Sequence, residues 1–379
     1  LSNLNSLINV CHNILIKSVI TMKTFIRCIL IYVCLTFSIR VNAQTDSIIT
    51  CSVCCCSSDP TPAGIMISHI HKKNEWMISY RYMYMGMNKI LEGKYYVDDE
   101  YVFNYYIMSP QRMHMHMHMI MGMYGLSDKI TLMAMMNVIS NTMYMNMYSN
   151  MSHTQRIMHA GHDHQNDMHH DDMAMKSSGI SDTKLHVLYG AVDNSLHLLV
   201  FSMGINLPTG KIHLKGDGKH VYSTEQRLPY MMQTGSGTWD VMPAVNYLYR
   251  KNKLSLSTQI SATIRTRSNS VGYRFGHEAI FNNWASWHFF PAFNISTRCE
   301  TSLSGSIKGK DPTLYTIYEP AANPANYGGF RLNTYVGYGI HFAKYIRLAV
   351  EYGMPLYQNL NGIQSAGKHL FFTSLSATF

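Results

Sequence analysis

About twelve extended runs, joined by connections that alternate between very short and long, set the strongest limit on what this chain can fold into. The runs span roughly 76–87, 113–124, 130–143, 183–192, 195–207, 238–250, 254–267, 272–283, 286–304, 330–343, 345–353 and 369–379. Turn chemistry marks the short connections at Ser127-Asp128, Asp193-Asn194, Lys251-Asn252 and Ala343-Lys344. Long connections cover about 88–112, 144–182, 208–237, 305–329 and 354–368. Only the connection near 268–271 departs from the alternation, and 100–108 reads ambiguously as a further strand. Short turns on one side, long loops on the other, an even strand number and both termini on the short-turn side predict an all-β, antiparallel transmembrane β-barrel of the outer-membrane type with about 12 strands. A soluble sandwich has no physical reason to sort its connections by length.

The ends of the chain agree with export to an outer membrane. Met22, Lys23 and Arg27 precede an apolar run over 28–37 that is too short to span a bilayer, and Val41-Asn42-Ala43 offers a small-residue cleavage site before Gln44. Residues 1–43 therefore read as an upstream extension and a cleaved signal peptide. Cys51 follows Ile49-Thr50, which lacks the small-residue context of lipidation. At the other end Phe371, Leu375, Ala377 and Phe379 share one strand face and the last residue is aromatic. That is the form of a closing barrel strand read by the outer-membrane assembly machinery, although an edge strand of a soluble sheet would look the same in isolation. The expected organisation is a Cys-containing periplasmic segment over 44–74 and a barrel over 75–379, with 144–182 as a Met/His-rich extracellular loop.

Charge and hydropathy exclude other classes. Setting aside the four cations of residues 1–43 leaves 27 Lys plus Arg against 22 acids, a scattered excess of five that gives no footprint for nucleic acid. The uncharged stretch 130–155 is interrupted by Asn137, Ser140, Asn141, Thr142, Asn146 and Asn150, so it is no transmembrane helix. The expected partners are outer-membrane lipid of a Gram-negative bacterium and a small solute or soft metal ion; the sequence does not specify an oligomeric state.

Several segments resemble a transporter-like family of bacterial outer-membrane proteins, the meta-pathway of phenol degradation family. They are 64–69, His71-Lys-Lys, 75–83, Leu207-Pro-Thr-Gly210, 228–240, Gly272-Tyr-Arg-Phe-Gly-His277 and 351–358. The resemblance reaches from about residue 60 to the C-terminus and implies a barrel that passes solutes, hydrophobic or aromatic compounds among them. The long His-rich insertion before Gly179 departs from the family and points away from hydrocarbon.

Methionine is the compositional anomaly, since 23 of 29 fall between Met66 and Met175. On a strand of period two, Met113, Met115, Met117, Met119, Met121 and Met123 share one face, and His114, His116 and His118 the other. One reading makes these Met a lipid-facing substitute for Leu. The neighbouring strands suggest another, because Met83, Met85 and Met87 share a face with Ser79 and Arg81, and Met133, Met135 and Met143 with Thr131, Asn137 and Asn141. Three strands then offer thioethers, with the imidazoles of His114, His116 and His118, to one interior wall, a ligand set suited to Cu(I) and, by extension, Ag(I). His153, His159, His162, His164, His169 and His170, interleaved with Asp and Met, form a loop tract able to bind divalent or cuprous ions, or simply a solvated loop. Cys51 and Cys54 make a C-x-x-C pair that could hold a soft metal or close a disulfide.

No cofactor is required by any motif, and copper leads among the metal ions suggested. Gly235-Ser236-Gly237 is not a nucleophile elbow, and His277-Glu278 lacks the second His of a zinc protease helix. The expected function is passage or capture of a small solute, with copper or another soft metal leading and no enzymatic role. Transport of aromatic compounds, an outer-membrane hydrolase and a purely structural barrel are the alternatives.

Overall fold

The computed structural model describes residues 59–148, 174–217, 223–343 and 345–379. The leader, Cys51, Cys54 and the His153 to His170 tract lie outside these residues.

The strands are β1 (Trp76–Gly93), β2 (Tyr95–Val97), β3 (Met108–Ser127), β4 (Ile130–Met147), β5 (Ala174–Ile180), β6 (Thr183–Asp193), β7 (His197–Leu207) and β8 (Asp240–Lys251). They continue as β9 (Leu254–Arg265), β10 (Tyr273–Arg274), β11 (Glu278–Phe290), β12 (Phe293–Ser304), β13 (Lys308–Gly309), β14 (Gly329–Ala343) and β15 (Ile346–Thr378). Pairing is antiparallel throughout and runs β1-β3-β4-β6-β7-β8-β9-β11-β12-β14-β15, and β15 returns to β1. A membrane offers no water to unpaired backbone groups, so closure of the sheet satisfies what an open edge would leave bare. The seal is made by Trp76 and Phe379, whose amides and carbonyls exchange hydrogen bonds. The terminal aromatic strand is thus the closing strand.

The last element makes two crossings. Residues 346–360 run antiparallel to β14 and 360–378 antiparallel to β1, and the amide of Thr378 donates to the carbonyl of Tyr345, so the chain reverses near Gly362 (φ 61°). Eleven elements therefore give twelve spans. β5 continues the line of β6 upward along β4, with a break at Ser181-Asp182.

Several boundaries differ from the sequence expectation: β5 and the end of β4 lie within the expected 144–182 loop, and the end of β1, β2 and the start of β3 lie within the expected 88–112 loop. The β11–β12 turn falls at Pro291-Ala292 rather than at 284–285, where Pro fixes φ and removes a ladder donor. The connection before β11 is consequently 266–277, a long one, and the exception near 268–271 disappears. Residues 354–368 form the tip of the last hairpin instead of a loop; their Asn and Gln carry no hydrophobic alternation to read. Residues 99–103 form a short helix, α1 (Asp99–Phe103), whose start is capped by the Asp98 carboxylate accepting from the Tyr101 amide at 2.9 Å.

Outward faces carry Ile78, Ile120, Leu132, Val187 and Ile260, all exposed as a lipid-facing surface requires. Trp76 and Tyr124, rings 4.4 Å apart, sit at the short-turn end in the manner of an interfacial aromatic pair.

Candidate functional site in the barrel lumen

Residues 59–71, expected ahead of the barrel, are instead seated inside it, entering and leaving at the short-turn end. Arg81 on β1 donates to the carbonyls of Ala63 and Ile65 at 2.9 and 2.6 Å, and Arg347 on β15 to that of Thr61 at 2.6 Å. Asn246 and Gln259 reach the carbonyls of Ser68 and Ile67, and the His71 amide donates to the Thr131 hydroxyl at 2.8 Å. This irregular segment could not be buried unless its carbonyls and amides found partners, and the wall supplies them from five strands. Burial opposes ionisation of Asp59, but the Arg347 guanidinium 3.8 Å away, with His69, overcomes it and holds the carboxyl well below the usual range. His71 is pushed down to about 4 by burial and by neighbouring His69, against the pull of Glu75.

At the tip of this plug Gly64 meets a charged node. Arg298 is fully buried, bound to Glu351 at 3.1 Å, to Glu300 at 2.7 Å and to the Asn282 side chain at 3.0 Å, with the Tyr335 ring 3.7 Å away. The Gly64 amide donates to Glu351, and any Cβ at that position would collide with the Arg298 guanidinium.

Above the plug lies a cavity of about 710 Å³, floored by Gly64, Met66 and Ile67 and roofed by inward-folded loop residues including Met231, Pro320 and Tyr327. Its walls differ sharply. Eleven methionines line it, chiefly Met83, Met85 and Met87 on β1, Met115, Met117 and Met119 on β3, and Met133 and Met135 on β4. The facing arc from β9 to β15 is mainly polar, with Gln259, Asn282, Ser302, Asn333 and Gln358, and carries Ile280, Leu370 and Phe372 among them. Met121, Met123 and Met143 are buried beside the first wall. The methionines therefore face the lumen and do not form a lipid-facing stripe.

The imidazoles expected on the same wall are elsewhere. Because side chains alternate, His114, His116 and His118 point to the lipid side, where Nδ1 of each pairs with the hydroxyl of Tyr84, Tyr82 and Tyr80 at 2.7–2.8 Å. A mixed thioether and imidazole site on one wall is thereby corrected to a wall of thioethers alone. Among the described residues no group of three or more His, Cys, Asp or Glu stands ready for a metal ion. Cys299 is an exposed free thiol on β12.

The roof is tied down by a polar node that sequence motifs touched without explaining. Asn206 donates to the carboxylates of Asp182 and Asp240 at 2.9 and 3.0 Å; Asp182 also accepts the amides of Gly210 and Ser236, and Asp240 is paired with Arg265. The segments around Leu207-Pro-Thr-Gly210 and Gly235–Asp240 meet here. Asp182 and Arg298 carried no sequence signal, and the ties made by Arg81 and Glu351 could not be read from theirs, since these roles depend on partners far along the chain. Among the described residues two Ser–His hydrogen bonds occur, Ser202 with His186 at 3.1 Å and Ser68 with His69 at 3.0 Å, and both serines are buried.

The architecture matches the crystal structure of an outer membrane channel from Pseudomonas putida F1 with TM-score 0.56 and 11% identity, over 83% of this chain and 98% of that one. The chain has the fold of an outer-membrane β-barrel. The model of the family described as "Putative MetA-pathway of phenol degradation" matches residues 164–298 of this barrel, which include the 207–210, 228–240 and 272–277 segments. Two further solved barrels match with lower scores. The P. putida toluene transporter TodX has TM-score 0.42 and 11% identity over 82% and 91% of the two chains. The translocator domain of the autotransporter NalP from Neisseria meningitidis has TM-score 0.40 and 9% identity over 83% and 91%. No curated protein matches the sequence.

Proposed function

We propose that the barrel is a channel for a small amphipathic solute, with its long loops outside the cell and its termini in the periplasm. The carrying observation is the two-faced lumen, in which a methionine wall confronts a polar one across a cavity of about 710 Å³. A solute with an apolar ring and a polar group could satisfy both walls at once. Thioethers suit the ring, being polarisable and conformationally adaptable, and a sulfur against an aromatic face contributes about 0.3–1.5 kcal/mol. The likeness of fold to an outer membrane channel supports passage through the lumen. The plug then acts as the inner closure. Swelling of liposomes bearing the refolded chain tests this reading: uptake of benzyl alcohol faster than through empty liposomes is expected, and equal rates would remove it.

A soft-metal role has a narrower basis. Thioethers of Met83, Met85, Met133 and Met135 converge on the lumen and suit Cu(I), but the imidazoles that would strengthen such a site face lipid.

A further inference from the structure

The cavity holds charge that its own walls leave unmatched. Three cations line it. Arg265 is held by Asp240. Among the described residues, Lys184 makes no hydrogen bond or ion pair, and Arg331 meets only the amide oxygen of Gln364, at 3.4 Å. The other guanidiniums of the interior, Arg81, Arg298 and Arg347, are all committed to carbonyls or carboxylates. Of the two carboxylates lining the cavity, Glu300 is taken by Arg298, and Glu278 is within electrostatic reach of both Lys184 and Arg331 without a direct bond to either. Two uncommitted cations against one uncommitted carboxylate leave an excess of one positive charge. An enclosed lumen screens such an excess less than open water does.

Position couples this charge to the apolar wall. Lys184 on β6 lies in cross-strand register with Met135 on β4, and both line the cavity, so the cation and the thioether surface adjoin. Arg331 on β14 is in register with Ser302 and Gln358, within the polar arc.

We propose that the cavity binds an organic monoanion with an aromatic body, its carboxylate drawn to Lys184 and Arg331 and its ring laid on the methionine wall. The single excess charge favours a monoanion over a polyanion, and Glu278 sets that limit. The inference rests on the lumen being the solute path.

Calorimetric titration of the refolded full chain with benzoate and with benzyl alcohol, which share a ring and differ in charge, tests it. Wild type is expected to bind benzoate about tenfold more tightly, the scale of one charge-assisted hydrogen bond. The double variant Lys184→Gln, Arg331→Gln should lose that preference, and Glu278→Gln should enlarge it. Equal affinities in wild type, or a preference untouched in the double variant, would overturn the proposal. Liposome uptake separates the two readings. Entry of benzyl alcohol without any benzoate preference leaves the channel standing and removes the anion site, whereas absence of uptake removes the channel while the titration still decides the site.

Discussion

The Gly64 amide donates to the carboxylate of Glu351, 287 residues further along the chain, and Arg298 holds that same carboxylate from the other side. The plug is thus fastened to a buried ion pair in the barrel wall.

Gly64→Val should loosen the plug while leaving the barrel closed. The added carbons would meet the Arg298 guanidinium, and overpacking of this kind costs roughly 1–3 kcal/mol. In single-channel recordings the open fraction should rise about tenfold. Unchanged recordings would mean that the tip is not what seats the plug.

Glu351→Ala should destabilise the barrel itself. It strands the buried Arg298 with a weaker set of partners, a change worth about 3–5 kcal/mol. Urea unfolding in detergent micelles measures it, and the paired change Arg298→Met, Glu351→Leu should cost less than the single one.

Acid should unseat the plug. Burial holds His71 down at about 4, and His69 is also lowered, so the seated segment favours neutral rings while the free one titrates near the ordinary 6.5. The stabilisation is fully present above about pH 6.5 and is lost as pH falls toward 4. Conductance should therefore rise between pH 7 and 4.5, and much less in His71→Asn.

On the lipid face, Tyr82→Phe should cost more than the double change Tyr82→Phe, His116→Leu. The single change leaves an imidazole nitrogen without its partner at about 1–3 kcal/mol, whereas the double one removes both polar groups. A thermal shift in micelles distinguishes them.

Leucine at Met83, Met85, Met133 and Met135 should preserve the fold, each exchange nearly conserving volume at under about 1.5 kcal/mol. A thioether site for Cu(I) requires the tightest binding to disappear in this variant, and its survival would clear the lumen of any metal role.

Strand existence and the sorting of connections were legible because both follow from local alternation and turn chemistry. Pro291 was read through because aromatic residues on both sides of it mimic one continuous strand. The inward face of Met83 and Met133 could be read from their polar neighbours Ser79, Arg81 and Asn137. The same alternation sends His114, His116 and His118 outward once Met115 and Met117 are placed in the lumen; only the cross-strand hydroxyls of Tyr80, Tyr82 and Tyr84 make a lipid-facing histidine tolerable, and those pairs depend on register. Whether the N-terminal segment plugs the lumen is not legible in the sequence, because its binding is written in carbonyls, which every residue has.

The most direct test of a plugged, two-faced channel is planar-bilayer conductance of the refolded full chain beside a variant lacking residues 59–71, with heat-modifiable gel mobility confirming that both barrels are folded. The account predicts a large, steady conductance in the variant and a small or intermittent one in the full chain; equal currents from two folded barrels would contradict it.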